Sequence, residues 1–200
     1  MKINNILMIV AIVAVTFALV NLIIHYDDAV EFTGFATGQD TGTANVTILS
    51  QASVEFITNT IDWGLGSVNE IPTSALLVTN GTVDGGNWSA VSQALVLQND
   101  GNTNISVTLT STLATTFLGG TAVTPLFQLR VSVNETNSCD TAHNKMSDFT
   151  NVSGSEQDAC LNLSYYNDLD TIKIDVLLRI PEDATPELKS ATITAIATPI

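Results

Sequence analysis

From Thr171 to Ile180 the chain reads Thr-Ile-Lys-Ile-Asp-Val-Leu-Leu-Arg-Ile, so Ile172, Ile174, Val176, Leu178 and Ile180 share one parity and Thr171, Lys173, Asp175 and Arg179 the other. A period of two belongs to an extended strand, because successive side chains leave opposite faces of a sheet. The apolar parity must face a core and the polar parity water. The pattern recurs at Val46, Ile48, Ala52, Val54 and Phe56, opposite Asn45, Thr47, Gln51, Ser53 and Glu55; at Ile105, Val107 and Leu109; and at Phe127, Leu129, Val131 and Val133. Half-wet strands of this kind belong to antiparallel sheets. Turn chemistry separates them at Asn80-Gly81, Asp84-Gly85-Gly86, Asn99-Asp100-Gly101-Asn102, Gly119-Gly120 and Pro181-Glu182-Asp183. About nine such strands predict an all-β antiparallel sandwich over residues 45–200, with Ile172–Ile180 as a central strand.

Ahead of it, Ile6 to Ile24 is apolar except at Thr16 and Asn21. As a helix this run reaches about 28 Å, close to the thickness of a bilayer's hydrocarbon core, so residues 6–24 are expected to meet a membrane. Lys2 precedes the run and Asp27 and Asp28 follow it, which orients the N-terminus to the cytoplasm and the rest outside. The expected organisation is an anchor or signal peptide over 1–26, a stalk over 27–44 and an exported domain over 45–200. Cleavage at Thr16-Phe17-Ala18 would convert the anchor into a removed signal peptide. Glu31 to Ala44 is rich in Gly and Thr, with Phe32, Phe35 and Ala36 scattered through it. It suits a flexible stalk or a strand donated to another copy, which would make a homo-oligomer by strand addition.

The chain carries 20 acidic and 6 basic residues, a net charge of -14. Nucleic acid and anionic lipid select Lys and Arg, so no nucleic-acid partner is expected. Only 13% of residues are charged, which leaves the polar surface to Thr, Ser and Asn. Asn45, Asn80, Asn87, Asn104, Asn134, Asn151 and Asn162 each open an N-x-S/T triplet, the acceptor of N-linked sugar on exported chains. Asn45, Asn104, Asn134 and Asn162 fall on the polar parity of strands, and Asn80, Asn87 and Asn151 in turns or loops. Cys139 and Cys160 flank a polar stretch; outside the cell they are expected to pair, tethering a surface loop over 135–160 with a contribution of about 3 kcal/mol.

No catalytic, cofactor-binding or metal site is expected, and the chain is not read as an enzyme. His25 and His143 lie far apart in sequence without a zinc-site spacing, and Gly64-Leu65-Gly66-Ser67-Val68 is not a nucleophile elbow. His143 near Asp140 and Asp148 reads as solvated. Asn167, Asp168 and Asp170, or Asp27 with Asp28, offer oxygens to calcium but lack the spacing of a calcium loop. Trp63, Trp88, Tyr165 and Tyr166 are the aromatics available for stacking on sugars, against their commoner use in packing.

Leu97-Gln98-Asn99-Asp100-Gly101-Asn102, then Ile180-Pro181-Glu182-Asp183-Ala184-Thr185-Pro186 followed by Ser190 to Thr194, resemble the strand ends and proline turn of archaeal and bacterial cell-surface proteins with immunoglobulin-like β-sandwiches. Ala52 to Val68, with Ile61-Asp62-Trp63-Gly64, is similar to the second-strand region of small secreted archaeal proteins and fimbrial-type subunits. The N-terminal run also resembles that of archaeal type IV pilins, although Lys2 is followed by Ile3-Asn4-Asn5 where a Lys-Gly or Arg-Gly junction would stand. The resemblance implies a structural or adhesive surface role and carries over no catalytic residue. The expectation is a membrane-anchored structural surface protein, an envelope or filament-like subunit. The alternative is an adhesin or carbohydrate-binding module, and the ligand is left open.

Overall fold

The computed structural model describes residues 3–31, with side chains given for 7–21, and residues 43–200. The chain divides into two compact units, Met1–Thr47 and Ile48–Ile200. In the first, helix α1 runs over Ile3–Glu31. The side chains from Leu7 to Asn21 are exposed all round the helix. Its polar residue Thr16 turns its hydroxyl inward, donating to the carbonyls of Ile12 and Val13, each at 2.9 Å. Among the described residues no helix is long and apolar enough to cross a membrane. The stretch with described side chains covers only about 22 Å of helix, and the expected span over 6–24 extends past it at both ends. The stalk or donor segment Glu31 to Ala44 lies mostly outside the described residues.

The second unit is built from antiparallel strands β1 (Val54–Thr58), β2 (Ser74–Val78), β3 (Val83–Asp84), β4 (Leu95–Asn99), β5 (Ile105–Ser111), β6 (Leu126–Val133), β7 (Thr150–Asn151), β8 (Gln157–Leu163), β9 (Thr171–Pro181) and β10 (Ile193–Pro199), with one helical turn, α2 (Ala114–Phe117), between β5 and β6. The central position expected for Ile172–Ile180 is what β9 occupies. Along one side it pairs with β6, from Val133↔Ile172 to Leu126↔Arg179. Its other side is shared end to end by β4, from Gln98↔Thr171 to Leu95↔Ile174, and β2, from Val78↔Leu177 to Ser74↔Pro181. With β1 on β4, β3 on β2 and β7 on β6, this makes a seven-stranded sheet, and β10, β5 and β8 make a second of three. One apolar core joins them: Leu77, Leu97, Leu129, Ile172 and Ile174 from the large sheet, and Ile105, Val107, Leu109 and Leu163 from the small one. Two antiparallel layers over a common core are compatible with a sandwich.

Four expectations are corrected. The first strand begins at Val54, not Asn45; residues 43–53 have no regular structure, and Val46, Ile48 and Leu49 are 86, 82 and 77% exposed. Alternation without an adjacent strand to pair with leaves a segment irregular and wet. Val133, the last residue of β6, is 47% exposed although its ladder partner Ile172 is fully buried. Asp175 and Thr171, placed on the wet parity of β9, are buried at 9 and 4% exposure. A strand flanked on both sides is shielded on its outer face by its neighbours' side chains.

The stretch 135–160, expected as a loop, is not one throughout, since it contains β7 and the start of β8. Its middle is bound between the two sheets. On one side the Val131 N–H donates to the Met146 carbonyl (2.7 Å) and Asn144 Nδ2 to the Val131 carbonyl (2.9 Å). On the other, the Lys145 N–H reaches the Ala159 carbonyl and the Leu161 N–H the His143 carbonyl, both at 3.0 Å. Residues 143–146 therefore close the flank between β6 and β8. Met146 is buried in the core beside the disulfide. Polar composition concealed a strip held by backbone hydrogen bonds.

Candidate functional site

Cys139 and Cys160 are bonded, with S–S 2.08 Å and Cα–Cα 6.1 Å. Both are buried and belong to the core. The bridge therefore fastens the closing strip to β8, and no free cysteine remains.

The seven sequon asparagines separate by environment. Asn45, Asn80, Asn87, Asn134 and Asn151 are exposed, while Asn104 and Asn162 are half-buried. Sugar is attached at the amide nitrogen, so the use of that atom matters. Asn80, Asn87 and Asn151 spend their oxygens, accepting from Thr82 N (3.0 Å), Ser67 N (2.6 Å) and Gln128 Nε2 (2.9 Å) respectively. Asn134 Nδ2 donates to Thr171 Oγ1 at 2.9 Å. Asn104 Nδ2 donates to Asn162 Oδ1 at 3.1 Å, and Asn104 Oδ1 is buried without a partner. The sequence did not show that β5 and β8 bring these two together. Asn45 lies ahead of β1, Asn104 just before β5 and Asn134 just after β6 rather than on a strand, while Asn151 lies in β7 rather than in a loop.

Polar groups gather on the outer face of the large sheet around Asp175. Its Oδ2 accepts from Arg130 Nη2 (2.9 Å), Arg130 Nε (3.3 Å) and Ser132 Oγ (3.1 Å), and its Oδ1 from Thr79 Oγ1 (3.2 Å). Thr79 sits where β2 ends and β4 has not begun. Its N–H donates to the Val176 carbonyl (3.1 Å), and its hydroxyl accepts from the Val176 N–H (3.0 Å). The guanidinium of Arg130 lies 4.7 Å from the centre of the Phe149 ring. Both carboxylate oxygens of Asp175 and the hydroxyls of Thr79 and Ser132 are engaged with one another or with Arg130, which is the signature of a structural knot.

The other candidates are dispersed. His143 Nδ1 lies 2.7 Å from Asp140 Oδ1 on an exposed turn. That side-chain bond, with the His143 and Ala142 amides, holds the Asp140 carboxyl below its ordinary value. Asp170 is buried, takes a hydrogen bond from Gln98 Nε2 (3.1 Å) on Oδ2, and leaves Oδ1 without a partner. Among the described residues no group of three or more His, Cys, Asp or Glu is arranged to hold a metal. The side chains of His25, Asp27 and Asp28 lie outside the described ones.

Trp63 and Trp88 pack against the core. Gly66 and Gly86 are glycine because a Cβ at either would collide with the Trp88 ring. Tyr165 and Tyr166 stack with ring centres 4.3 Å apart, and Tyr166 is 60% exposed.

The flank opposite the disulfide strip is open. Among the described residues β1 pairs only with β4 and β10 only with β5, and these two edges approach one another. Their inward residues, Val54 and Phe56 on β1 and Ile193, Ala195 and Ala197 on β10, touch the core while remaining partly exposed. Exposed edges were not foreseen from the sequence, although the lack of charge from Ser190 to Ile200 was a visible signal. Comparison with known proteins gives no match: no family model, curated protein or solved structure is similar to this chain.

Proposed function

We propose that the chain is a surface structural protein: a domain of immunoglobulin-like sandwich type, held outside the cell by α1 and serving as an envelope or filament-like subunit. The observation that carries this reading is the exposure of apolar side chains on all sides of α1 from Leu7 to Val20. A helix apolar all round requires lipid or other helices as its surroundings. The inward bonding of the Thr16 hydroxyl supports the same reading, because a polar group in hydrocarbon must find its partner within the protein. A disulfide in the second unit fits an oxidising exterior, as do the five exposed sequons.

The test is made on the full-length chain expressed in cells. It is expected to resist carbonate extraction from membranes, with the β domain digested by protease added outside. Recovery of the intact chain in the soluble fraction would overturn the anchor. Electron microscopy of the purified protein is expected to show filaments or arrays. A second reading, carbohydrate binding, is favoured by the exposed Tyr165–Tyr166 stack. Glycan-array binding that is lost on Tyr166→Ala, by monodisperse particles, would favour it over assembly.

A further inference from the structure

The segment immediately before β1 has lengths, side chains and charge that match the open edge of β10. Ala44–Ser50 has no regular structure, and its Val46, Ile48 and Leu49 are the most exposed large apolar side chains between Thr43 and β1. It is rooted in the domain only at its end. The Gln51 N–H donates to Asn102 Oδ1 (2.7 Å), the Asn102 N–H to the Gln51 carbonyl (3.0 Å) and Asn102 Nδ2 to the Leu49 carbonyl (2.9 Å). Strand β10 is seven residues long, as is Ala44–Ser50. Its outer edge is hydrogen-bonded to no strand among the described residues, although β1 approaches it, and its inward residues include the small Ala195 and Ala197.

Charge favours a second copy as the source. In a chain of net charge -14, copies repel one another at long range. The stretches from Thr41 to Val54 and from Ser190 to Ile200 carry no charge at all. Free edges are ordinarily guarded by charged side chains or proline. Here the edge is unguarded along its length until Pro199, and the exposed segment Ala44–Ser50 is equally uncharged.

We propose that Ala44–Ser50 of one copy adds as a strand to the free edge of β10 in a second copy. The inference rests on the surface-subunit reading and specifies how the subunits join. Val46 and Ile48, on one parity, cover the margin beside Ile193, Ala195 and Ala197, while Leu49, on the other, lies on the side of Ile196. Main-chain hydrogen bonds supply affinity and the alternate side chains supply register. Because donor and acceptor are different surfaces, the contact is heterologous, and repetition builds an open chain of copies rather than a closed dimer.

The absence of free cysteines lets added thiols report the contact. Full-length Thr47→Cys and a tagged full-length Thr194→Cys are mixed in detergent and oxidised. A disulfide-linked heterodimer is expected, with a yield that falls on dilution and drops at least about tenfold when the donor also carries Ile48→Asp, since a carboxylate would be carried into an apolar strip. Ile48 is exposed in the free domain, so an unchanged melting temperature is expected for that variant. A yield no greater than with the control pair Thr47→Cys and Thr82→Cys would overturn the proposal. So would a dilution-independent bridge within a Thr47→Cys/Thr194→Cys chain, which would place the segment on its own β10. Liposome flotation of the same proteins reports the anchor separately: flotation without cross-linking defeats this inference alone, and cross-linking without flotation defeats the anchor alone.

Discussion

Replacing Asp175 with Ala tests whether the knot on the outer face of β9 stabilises the large sheet. Asp175 stands directly across from Arg130 in the β6–β9 ladder and takes three hydrogen bonds on Oδ2 and one on Oδ1. Removing one partner of a buried ion pair costs about 3–5 kcal/mol, chiefly because the other charge is left stranded. The side chains here are 13% exposed for Asp175 and 36% for Arg130. A guanidinium that reaches water and keeps its Phe149 face is stranded only in part, so the expected loss is about 2–3 kcal/mol. For a domain of this size that corresponds to a fall of about 5–10 °C in melting temperature. Asp175→Asn keeps the shape and the Thr79 contact and should lose about 1 kcal/mol. Urea unfolding of Asp175→Ala, Arg130→Ala and the double variant, followed by circular dichroism, gives the coupling directly. A loss below about 0.5 kcal/mol for Asp175→Ala, typical of a surface position, would refute the reasoning.

Thr79→Val preserves shape but leaves the buried Val176 N–H without its acceptor, and should cost about 1–3 kcal/mol by the same unfolding assay. Cys139→Ser with Cys160→Ser should lower stability by about 3 kcal/mol through the freed loop of 21-residue separation, while the Val131 amide stays protected from hydrogen exchange because its bond to Met146 does not depend on the bridge. Glycopeptide mapping from a host that adds N-linked sugar should find Asn80, Asn87 and Asn151 occupied and Asn104 unoccupied, since its nitrogen is engaged with Asn162; full occupancy at Asn104 would show that the pair opens during synthesis. The Asp183 carboxyl is held below its ordinary value of 3.8, first by the Ala122 amide and then by that of Thr121. Its contribution to the 119–122 turn is therefore complete above that value and lost as pH falls through the lower, folded one, so amide exchange at Thr121 and Ala122, corrected for the intrinsic pH dependence, should accelerate only below about pH 4.

The core was legible in the sequence wherever alternation and burial have the same cause. Ile105, Val107, Leu109, Phe127, Leu129, Val131, Ile172, Ile174, Val176 and Leu178 are all buried on the expected parity. Alternation failed where it had to stand in for something nonlocal. It marks Asn45 to Ser53 as strand because it carries no information on whether a neighbour exists. It marks Asp175 as wet because parity cannot register the Arg130, Ser132 and Thr79 side chains that cover it. The bond between Cys139 and Cys160 was legible from chemistry and compartment, whereas the closing strip between them was not, since residues 143–146 are held by backbone groups that any side chains could accompany. The Asn104–Asn162 contact depends on the β5–β8 register, which two bulges shift between Ile105 and Thr108; no local pattern announces it.

The two flanks of the β domain are treated in opposite ways, and the difference bears on how copies would join. Between β6 and β8 the backbone groups at the edges are taken up by residues 143–146, with Met146 and the disulfide filling the core behind them. That flank is closed by the chain itself and offers little to a second copy. Between β1 and β10 no comparable strip exists among the described residues, and apolar inward residues keep partial exposure. Unpaired edges recruit whatever strand is available, including wrong ones. In a strongly acidic chain, long-range repulsion between copies limits that recruitment. Adding Lys to the edge at Ile196, which is 37% exposed, would restore the usual guard without disturbing the core. Under the proposed assembly, Ile196→Lys should therefore abolish chains of copies in micrographs while leaving melting temperature and membrane flotation unchanged; filaments that persist in that variant would show that subunits meet elsewhere.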